Sequence, residues 1–343
     1  MIKCRYLVFL VAVSVATFLG SSAVGLPITP VLGDAEAFAV LAGSTVTNAG
    51  GLGTTITGDL GVWSSGGANA ITGFDTTPGA NTIVGNGTTG SVTNGGGIVN
   101  GTIYAGGPIP EAAQNSLTTA FTSLNNMPST QNLAGEILGD GVGGTQPTLG
   151  PGVYSFPSTS AQLNGILELD AGGIDGVFWV FQIGTTLTTE SASSVVLINA
   201  GPNNGSDVGV FWVVGSSATL GSSTQFQGNI LADQSITLIS TASIDNGRAL
   251  ARIAAVELDN NVISNICLNN LDSQGNPGPG FSGGLGFDDL GNLVAIPLDS
   301  NGNGNGTAGY IPEPATFTLL GSAIVGLLTG RKRIWGSRRC GKA

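Results

Sequence analysis

Apolar and polar positions recur along the second half of the chain in long, regular units. Three consecutive 19-residue stretches align without gaps: "VFWVVGSSATLGSSTQFQG" at 210–228, "NILADQSITLISTASIDNG" at 229–247 and "RALARIAAVELDNNVISNI" at 248–266. Each carries three short runs of strand-like residues. Leu220, Ile239 and Leu258 fall at equivalent places, and a one-residue adjustment sets Leu238 against Leu220 and Leu258 instead. An earlier copy, "VFWVFQIGTTLTTESASSVVLIN", starts at Val177 and is followed by the insertion "AGPNNGSD". Three short strands per repeat predict a β-solenoid of triangular section.

The three runs predict three different faces. The first, "FWVFQI", "VFWVV", "NILA" and "RALA" in successive copies, is apolar on both sides of the strand and therefore needs a cover. The second alternates: Thr186-Leu187-Thr188, Thr219-Leu220, Ile236-Thr237-Leu238 and Val256-Glu257-Leu258, with Leu directed inward and Thr or Glu outward. Thr186, Thr219 and Thr237 are expected to form one outward column, which Glu257 continues. The third run is rich in Asn, Gln and Ser.

A single convincing helix supplies the cover. Within "PIPEAAQNSLTTAFTSLNNMP", Pro110 and Glu111 suit a first turn and Pro128 stops the run, giving a helix over about 110–126. Ala113, Leu117, Ala120, Phe121 and Leu124 form one apolar stripe, predicted to lie along the apolar face of the solenoid. Residues 34–107 carry shorter strand signals broken by Gly, and residues 269–310 read as a Gly-, Asn- and Asp-rich linker.

Both ends read as addresses. Residues 1–25 combine a basic start, an apolar run from Tyr6 to Leu19 and a small-residue stretch, the pattern of a secretory signal peptide. At the other end, Pro312-Glu313-Pro314 precedes an apolar segment over about 315–330 and then a basic cluster. Physically this is a stop-transfer element, short for a spanning helix. The three parts of 311–343 in this order resemble the PEP-CTERM sorting signal of Gram-negative bacteria. That resemblance implies export, transient membrane anchoring, processing by a sorting protease of the exosortase type, and a destination at the cell surface or in the extracellular matrix.

Composition narrows the function. Charged residues make up only 9% of the chain, apolar residues 41%, and Gly occurs 57 times. Of ten basic residues only Arg248 and Arg252 lie between the two end segments, so the acidic body is a poor partner for nucleic acid or anionic lipid. Both are expected to pair with carboxylates near the solenoid. With Cys4 and Cys340 in the end segments, Cys267 stands alone, which leaves no disulfide framework or thiolate metal site in the body. The chain has no histidine, which excludes a Ser-His-Asp triad and a His-based metal site. The carboxylate pairs Glu168/Asp170 and Glu257/Asp259 share strand faces at i, i+2, but no aromatic cleft accompanies them, so they read as solvated strand charges. The nonapeptide-like "GGLGFDDLG" at 283–291 is a single copy of a calcium pattern that works only in tandem. No enzymatic activity and no cofactor are expected.

The segments "LGDAEAFAVLAGSTVTNAG", "TTITGDLGVW", "ITGF", "GPGVYSF", "FQIGTTLTT", "VFWVVGSSATLG", "GNILADQSITL" and "GRALARIAAVELDNN", in this order over roughly 34–268, resemble the secreted microbial ice-binding proteins of the DUF3494 family. The resemblance implies an irregular right-handed β-helix with one long helix alongside, a domain over about 26–268, and adsorption to ice through one flat β-face. Two departures stand out: Glu257 continues the Thr column, and Glu168 stands where the family commonly has Thr. The ice-contact candidates are Thr186, Thr188, Ser217, Thr219, Ser235 and Thr237. A cell-surface or biofilm-matrix adhesive, using the same scaffold on exopolysaccharide without ice affinity, is the second function class that stays open.

Overall fold

A computed structural model describes residues 28–49, 52–63, 70–77, 80–84, 92–271, 277–278 and 280–296. The expected signal peptide at 1–25, the sorting motif Pro312-Glu313-Pro314 and the apolar segment at 315–330 lie outside the described residues. Among the described residues no helix is long and apolar enough to cross a membrane.

Short parallel strands stack in three series. One runs through Gly152–Phe156, Phe178–Ile183, Gly209–Val214, 229–232, 248–251, Phe38–Ala42, Asp59–Val62, Thr102–Ala105 and Thr82–Val84. A second runs through Ile137–Leu138, Ala161–Leu163, Leu187–Thr189, Ala218–Leu220, Ile236–Leu238, Val256–Leu258, Val46–Asn48, Ile71–Phe74 and Val92–Asn94. The third runs through Thr148–Leu149, Ile166–Asp170, Ser194–Ile198, 225–227, 243–245, Val262–Ser264, Leu52–Thr57 and Gly96–Asn100. Spatial order departs from chain order in two places. Thr102–Ala105 stands between Asp59–Val62 and Thr82–Val84. The N-terminal strands stack onto the last coil, where Val40 pairs with Ala249, Val46 with Val256 and Thr55 with Val262.

In two coils a single strand serves two stacks. Gln225–Ala232 and Ser243–Ala251 each bend midway, and their mutual register shifts between Gln227 and Asn229. Gly228 makes the bend with φ +99°, and a Cβ on Gly247 would fall on the Gly228 carbonyl, so both corners need glycine.

The interior follows from strand alternation. Tyr154, Phe181 and Trp212 pair in register, and their rings stack with centroids 5.5 and 3.8 Å apart. Phe226 continues the column, 4.9 Å from Trp212. Buried indoles need partners. Trp179 Nε1 donates to the Leu149 carbonyl and Trp212 Nε1 to that of Gln227, both at 3.1 Å.

The helix α1 (Pro108–Asn125) covers the first stack. Ala113, Leu117, Ala120 and Leu124 are fully buried in one cluster with Val180, Phe211, Val213, Leu231, Leu250 and Leu41. Phe121 sits at the rim of the expected stripe, under the Arg252 guanidinium at 4.6 Å from its ring centroid. The Gln114 amide donates to the Ala251 carbonyl at 3.0 Å near the start of α1, and the Gln182 amide donates to the Leu124 and Met127 carbonyls at 2.8 Å at its end. The ten residues from Gln114 to Leu124 rise about 15 Å, which matches the three rung intervals from Ala251 to Gln182.

Part of the segment read as linker is folded. Residues 280–296 pack on the solenoid with Phe281 and Leu285 fully buried. Val210 N donates to the Phe281 carbonyl, and Leu285–Phe287 joins a small antiparallel sheet with Thr29–Pro30 and Leu293–Ala295. Two apolar anchors in a Gly-rich stretch hold it, together with Arg248 and Asn229 donating to the Gly280 and Phe281 carbonyls. Within the nonapeptide-like run, Asp288 Oδ1 accepts from the backbone N–H groups of Leu290 and Asn292, which makes it a turn-former. Both arginines of the body pair with carboxylates: Arg248 with Glu36 at 3.0 Å and Arg252 with Asp233 at 2.5 Å.

Candidate functional site

The second stack carries all the candidate residues. Most of its strands are three residues long, and from Ala161–Leu163 to Val46–Asn48 each buries the residues on either side of one outward position. Leu187, Ala218, Ile236, Val256, Val46 and Ile71 fill one inward column; Leu163, Leu220, Leu238 and Leu258 fill the other. Thr189 and Asn48 also point inward, and both are satisfied there. Thr189 Oγ1 lies 2.8 Å from Thr224 Oγ1 and accepts from Gly221 N, while Asn48 Oδ1 accepts from the Thr54 hydroxyl at 2.7 Å.

Two outward columns remain. Backbone register aligns Ile137, Gln162, Thr188, Thr219, Thr237, Glu257, Thr47 and Thr72, and continues to Thr93. Beside it run Ser160, Thr186, Ser217, Ser235, Ala255 and Thr45, and the column ends at the buried Ala70. These residues immediately precede the strands, and an unbroken ladder of backbone hydrogen bonds links them, from Ala161 N to the Thr186 carbonyl through to Val46 N to the Ala70 carbonyl. Rungs repeat at about 4.8 Å, and the two columns stand about 6.7 Å apart along the strands.

All six candidate residues lie on this surface and all are partly exposed. Thr186, Ser217 and Ser235 share one column; Thr188, Thr219 and Thr237 share the other. The expected grouping of Thr186 with Thr219 and Thr237 is therefore corrected, because Leu187 pairs with Ala218 and this sets Thr188 beside Thr219. The one-residue adjustment at Leu238 is the arrangement found: Leu238 pairs with Leu220. Ser217 and Ser235 hydroxyls are 3.0 Å apart, which fixes one rotamer against the next. Thr45, Thr47 and Thr72 complete the columns from the N-terminal strands. For Thr45 and Thr47 the one sequence signal is a Thr-x-Thr like that at 186–188; Thr72, in Ala70-Ile71-Thr72, has none.

Electrostatically the surface is nearly blank. From Ser160 and Gln162 to Ala70 and Thr72, Glu257 is the one ionisable side chain in the two columns. Asp233, Glu190 and Asp259 lie at the margins, where the strands turn. Of the carboxylate pairs weighed for acid–base work, Glu168 and Asp170 belong to the third stack and Glu257 to the second. Asp170 accepts from Gly172 N and the Asn199 amide, and these hydrogen bonds hold its carboxyl below the usual carboxylate value.

A parallel β-solenoid with a helix on one side and a level, hydroxyl-bearing, almost uncharged sheet on another is a scaffold for binding extended surfaces. The sequence matches the family model described as "Ice-binding-like" over residues 40–264, and the chain belongs to that family. Over 236 residues it is 46% identical to an ice-binding protein of Nostoc sp. (strain HG1), covering 69% of this chain and 74% of that one. It is 32% identical over 250 residues to an ice-binding protein of Flammulina populicola, covering 69% and 89%. Among solved structures, the ice-binding protein of the Antarctic ascomycete Antarctomyces psychrotrophicus superposes with a TM-score of 0.53 at 33% identity, covering 70% of this chain and 98% of that one. The ice-binding protein LeIBP of an Arctic yeast gives a TM-score of 0.53 at 26% identity, covering 69% and 94%.

Proposed function

We propose that this protein binds ice through the hydroxyl-bearing second stack, with Thr188, Thr219, Thr237, Thr47 and Thr72 in one contact column and Thr186, Ser217, Ser235 and Thr45 in the other. The observation that carries this reading is the register: Thr188, Thr219 and Thr237 occupy one outward position on consecutive strands, between fully buried side chains. Fixed strands place the Thr methyls and hydroxyls at constant intervals. The methyls order neighbouring water and the hydroxyls hydrogen-bond to it, so a layer of water matched to the sheet can merge with a growing crystal. A charged side chain would hold its water too tightly and in a different arrangement. Adsorbed molecules then pin the ice front, which curves between them and grows more slowly.

The coil is read as right-handed and triangular in section. Residues 1–25 direct export, and 311–343, with Pro312, Glu313 and Pro314, sort the protein to the cell surface or extracellular matrix. In that setting it slows recrystallisation around the cell without acting as an enzyme.

The test is an ice-recrystallisation assay with thermal hysteresis on the full-length protein, its Thr219→Tyr variant and its Thr237→Tyr variant. Tyr is a good strand former and both positions are outward, so stability should change by no more than about 0.5 kcal/mol. Ice activity should fall sharply in both. Folded wild-type protein without activity, or variants as active as wild type, would refute the assignment.

A further inference from the structure

One rung of the hydroxyl face lacks both of its hydroxyls. Glu257 pairs with Thr237 on one side and Thr47 on the other, in the middle of the Thr column. The neighbouring position on the same rung is Ala255. The rungs on either side, Ser235/Thr237 and Thr45/Thr47, carry hydroxyls at both positions.

Glu257 is exposed and has no cationic partner among the described residues. The nearby Arg252 is engaged by Asp233 and stands over Phe121. What Glu257 does contact is the face itself: the Thr237 hydroxyl donates to its Oε2 at 3.3 Å. The carboxylate therefore takes a hydroxyl away from the contact column. It also adds an ionised group that keeps its own strongly held water.

We propose that Glu257 is a specificity-determining residue that divides the face into two separate contact patches and holds its affinity for ice below what the scaffold supports. This rests on the reading of the second stack as the ice-contacting face. One patch comprises the rungs of Thr188, Thr219 and Thr237; the other comprises those of Thr47 and Thr72. The first spans two rung intervals, about 10 Å, and an unbroken column from Thr188 to Thr72 would span five, about 24 Å. An ordered water layer that can cross the joint is more than twice as long as one that stops at the carboxylate. The division falls where the N-terminal strands meet the last coil, so the two patches come from distant parts of the chain.

The experiment compares full-length wild type, Glu257→Thr, Glu257→Gln and Glu168→Thr by thermal hysteresis and by the concentration that halts recrystallisation, with circular dichroism melts to verify folding. Thr suits an outward strand position, and Glu257 makes no ion pair to lose. Glu257→Thr should lower the halting concentration about threefold or more, the low end of what relieving one poorly desolvated polar group is worth. Glu257→Gln, which keeps the shape and removes the charge, should fall between it and wild type. Glu168→Thr removes a carboxylate from a different stack and should leave activity unchanged.

Active wild type with no gain in Glu257→Thr overturns the proposal while leaving the ice-binding reading intact. An equal gain from Glu168→Thr also overturns it, since the effect would then follow net charge alone. Folded wild type and Glu257→Thr that are both inert overturn the ice-binding reading and this inference with it.

Discussion

Thr54→Val tests the joint on which the continuity of the face depends. Thr54 is fully buried where the N-terminal strands stack on the last coil. Its hydroxyl donates to Asn48 Oδ1 at 2.7 Å and accepts from Asn261 N at 3.1 Å. Asn48 in turn donates to the Gly73 carbonyl at 2.8 Å, and Asn261 to the Ile239 and Ala242 carbonyls at 3.1 and 2.8 Å. These three side chains tie together four successive rungs, those of Thr237, Glu257, Thr47 and Thr72. Valine matches threonine in shape, so the substitution opens almost no cavity and its cost is that of the hydrogen bonds. Two buried groups lose their partner, at about 1–3 kcal/mol each, for a total of about 2–6 kcal/mol. That is a large share of the roughly 5–15 kcal/mol typical of a domain. Thr54→Ser keeps the hydroxyl and should lose only about 1 kcal/mol for the missing methyl. Urea unfolding of the three proteins, read as midpoint shifts at constant slope, measures both values. A Thr54→Val loss below about 1 kcal/mol, or a Thr54→Ser loss equal to it, would refute the hydrogen-bond account.

Arg248→Met should destabilise by about 3–5 kcal/mol, because Arg248 is buried, ion-pairs with Glu36 and donates to the Glu36 and Gly280 carbonyls and the Asn229 side chain. Limited proteolysis should then cut within 280–296 sooner than in wild type, and an unchanged cleavage rate would remove the arginine from that role. Burial holds the Asp207 carboxyl above the usual carboxylate value. The folded state therefore binds that proton more tightly than the unfolded chain, and the group's contribution to stability is full at low pH and lost as pH rises through its folded pKa. Asp75, Asp170 and Asp288, lowered by hydrogen bonds from Thr77, Gly172 and Asn292, act in the opposite sense: their contribution is lost as pH falls below the ordinary carboxylate range. Melting temperature should thus peak in mild acid, and Asp207→Asn should flatten only the limb toward neutral pH; superimposable profiles would contradict this.

The repeat was legible where coils follow one another without interruption, and Thr219 and Thr237 fall in register as the pattern suggests. Strand alternation alone could not decide between Thr186 and Thr188. Both flank Leu187 and both point outward, so only the pairing of Leu187 with Ala218 assigns them to columns. Thr45, Thr47 and Thr72 were hidden for a different reason. Their strands stack on a coil at the far end of the sequence, and no local periodicity encodes that pairing. The helix was visible in its apolar stripe, but buried Gln114 reads as a solvent position until the Ala251 carbonyl is placed beneath it. Residues 280–296 have the composition of a linker because two buried side chains, Phe281 and Leu285, do most of the anchoring.

The helix and the hydroxyl face depend on one another. Strands apolar on both sides, such as Gly209–Val214 with all six residues buried, would otherwise expose Phe211 and Val213 and invite association. With α1 over them, the first stack is fixed from both sides, and each coil is held in register before its second strand is reached. The second strands are themselves short, mostly three residues, and offer too little contact to set a lattice alone. Their spacing is inherited from the covered stack. At the Ile137–Leu138 end, the loop after it folds back so that Thr145 N and Gln146 N both donate to the Ile137 carbonyl, which occupies that edge group with the chain's own N–H groups. The hydroxyl face thus has its rigidity supplied from behind and one end folded over by its own chain. The charged side chains gather at the turns and on the other faces, so under the proposed reading the one carboxylate at position 257 weighs more than its count among twenty-one acidic residues suggests.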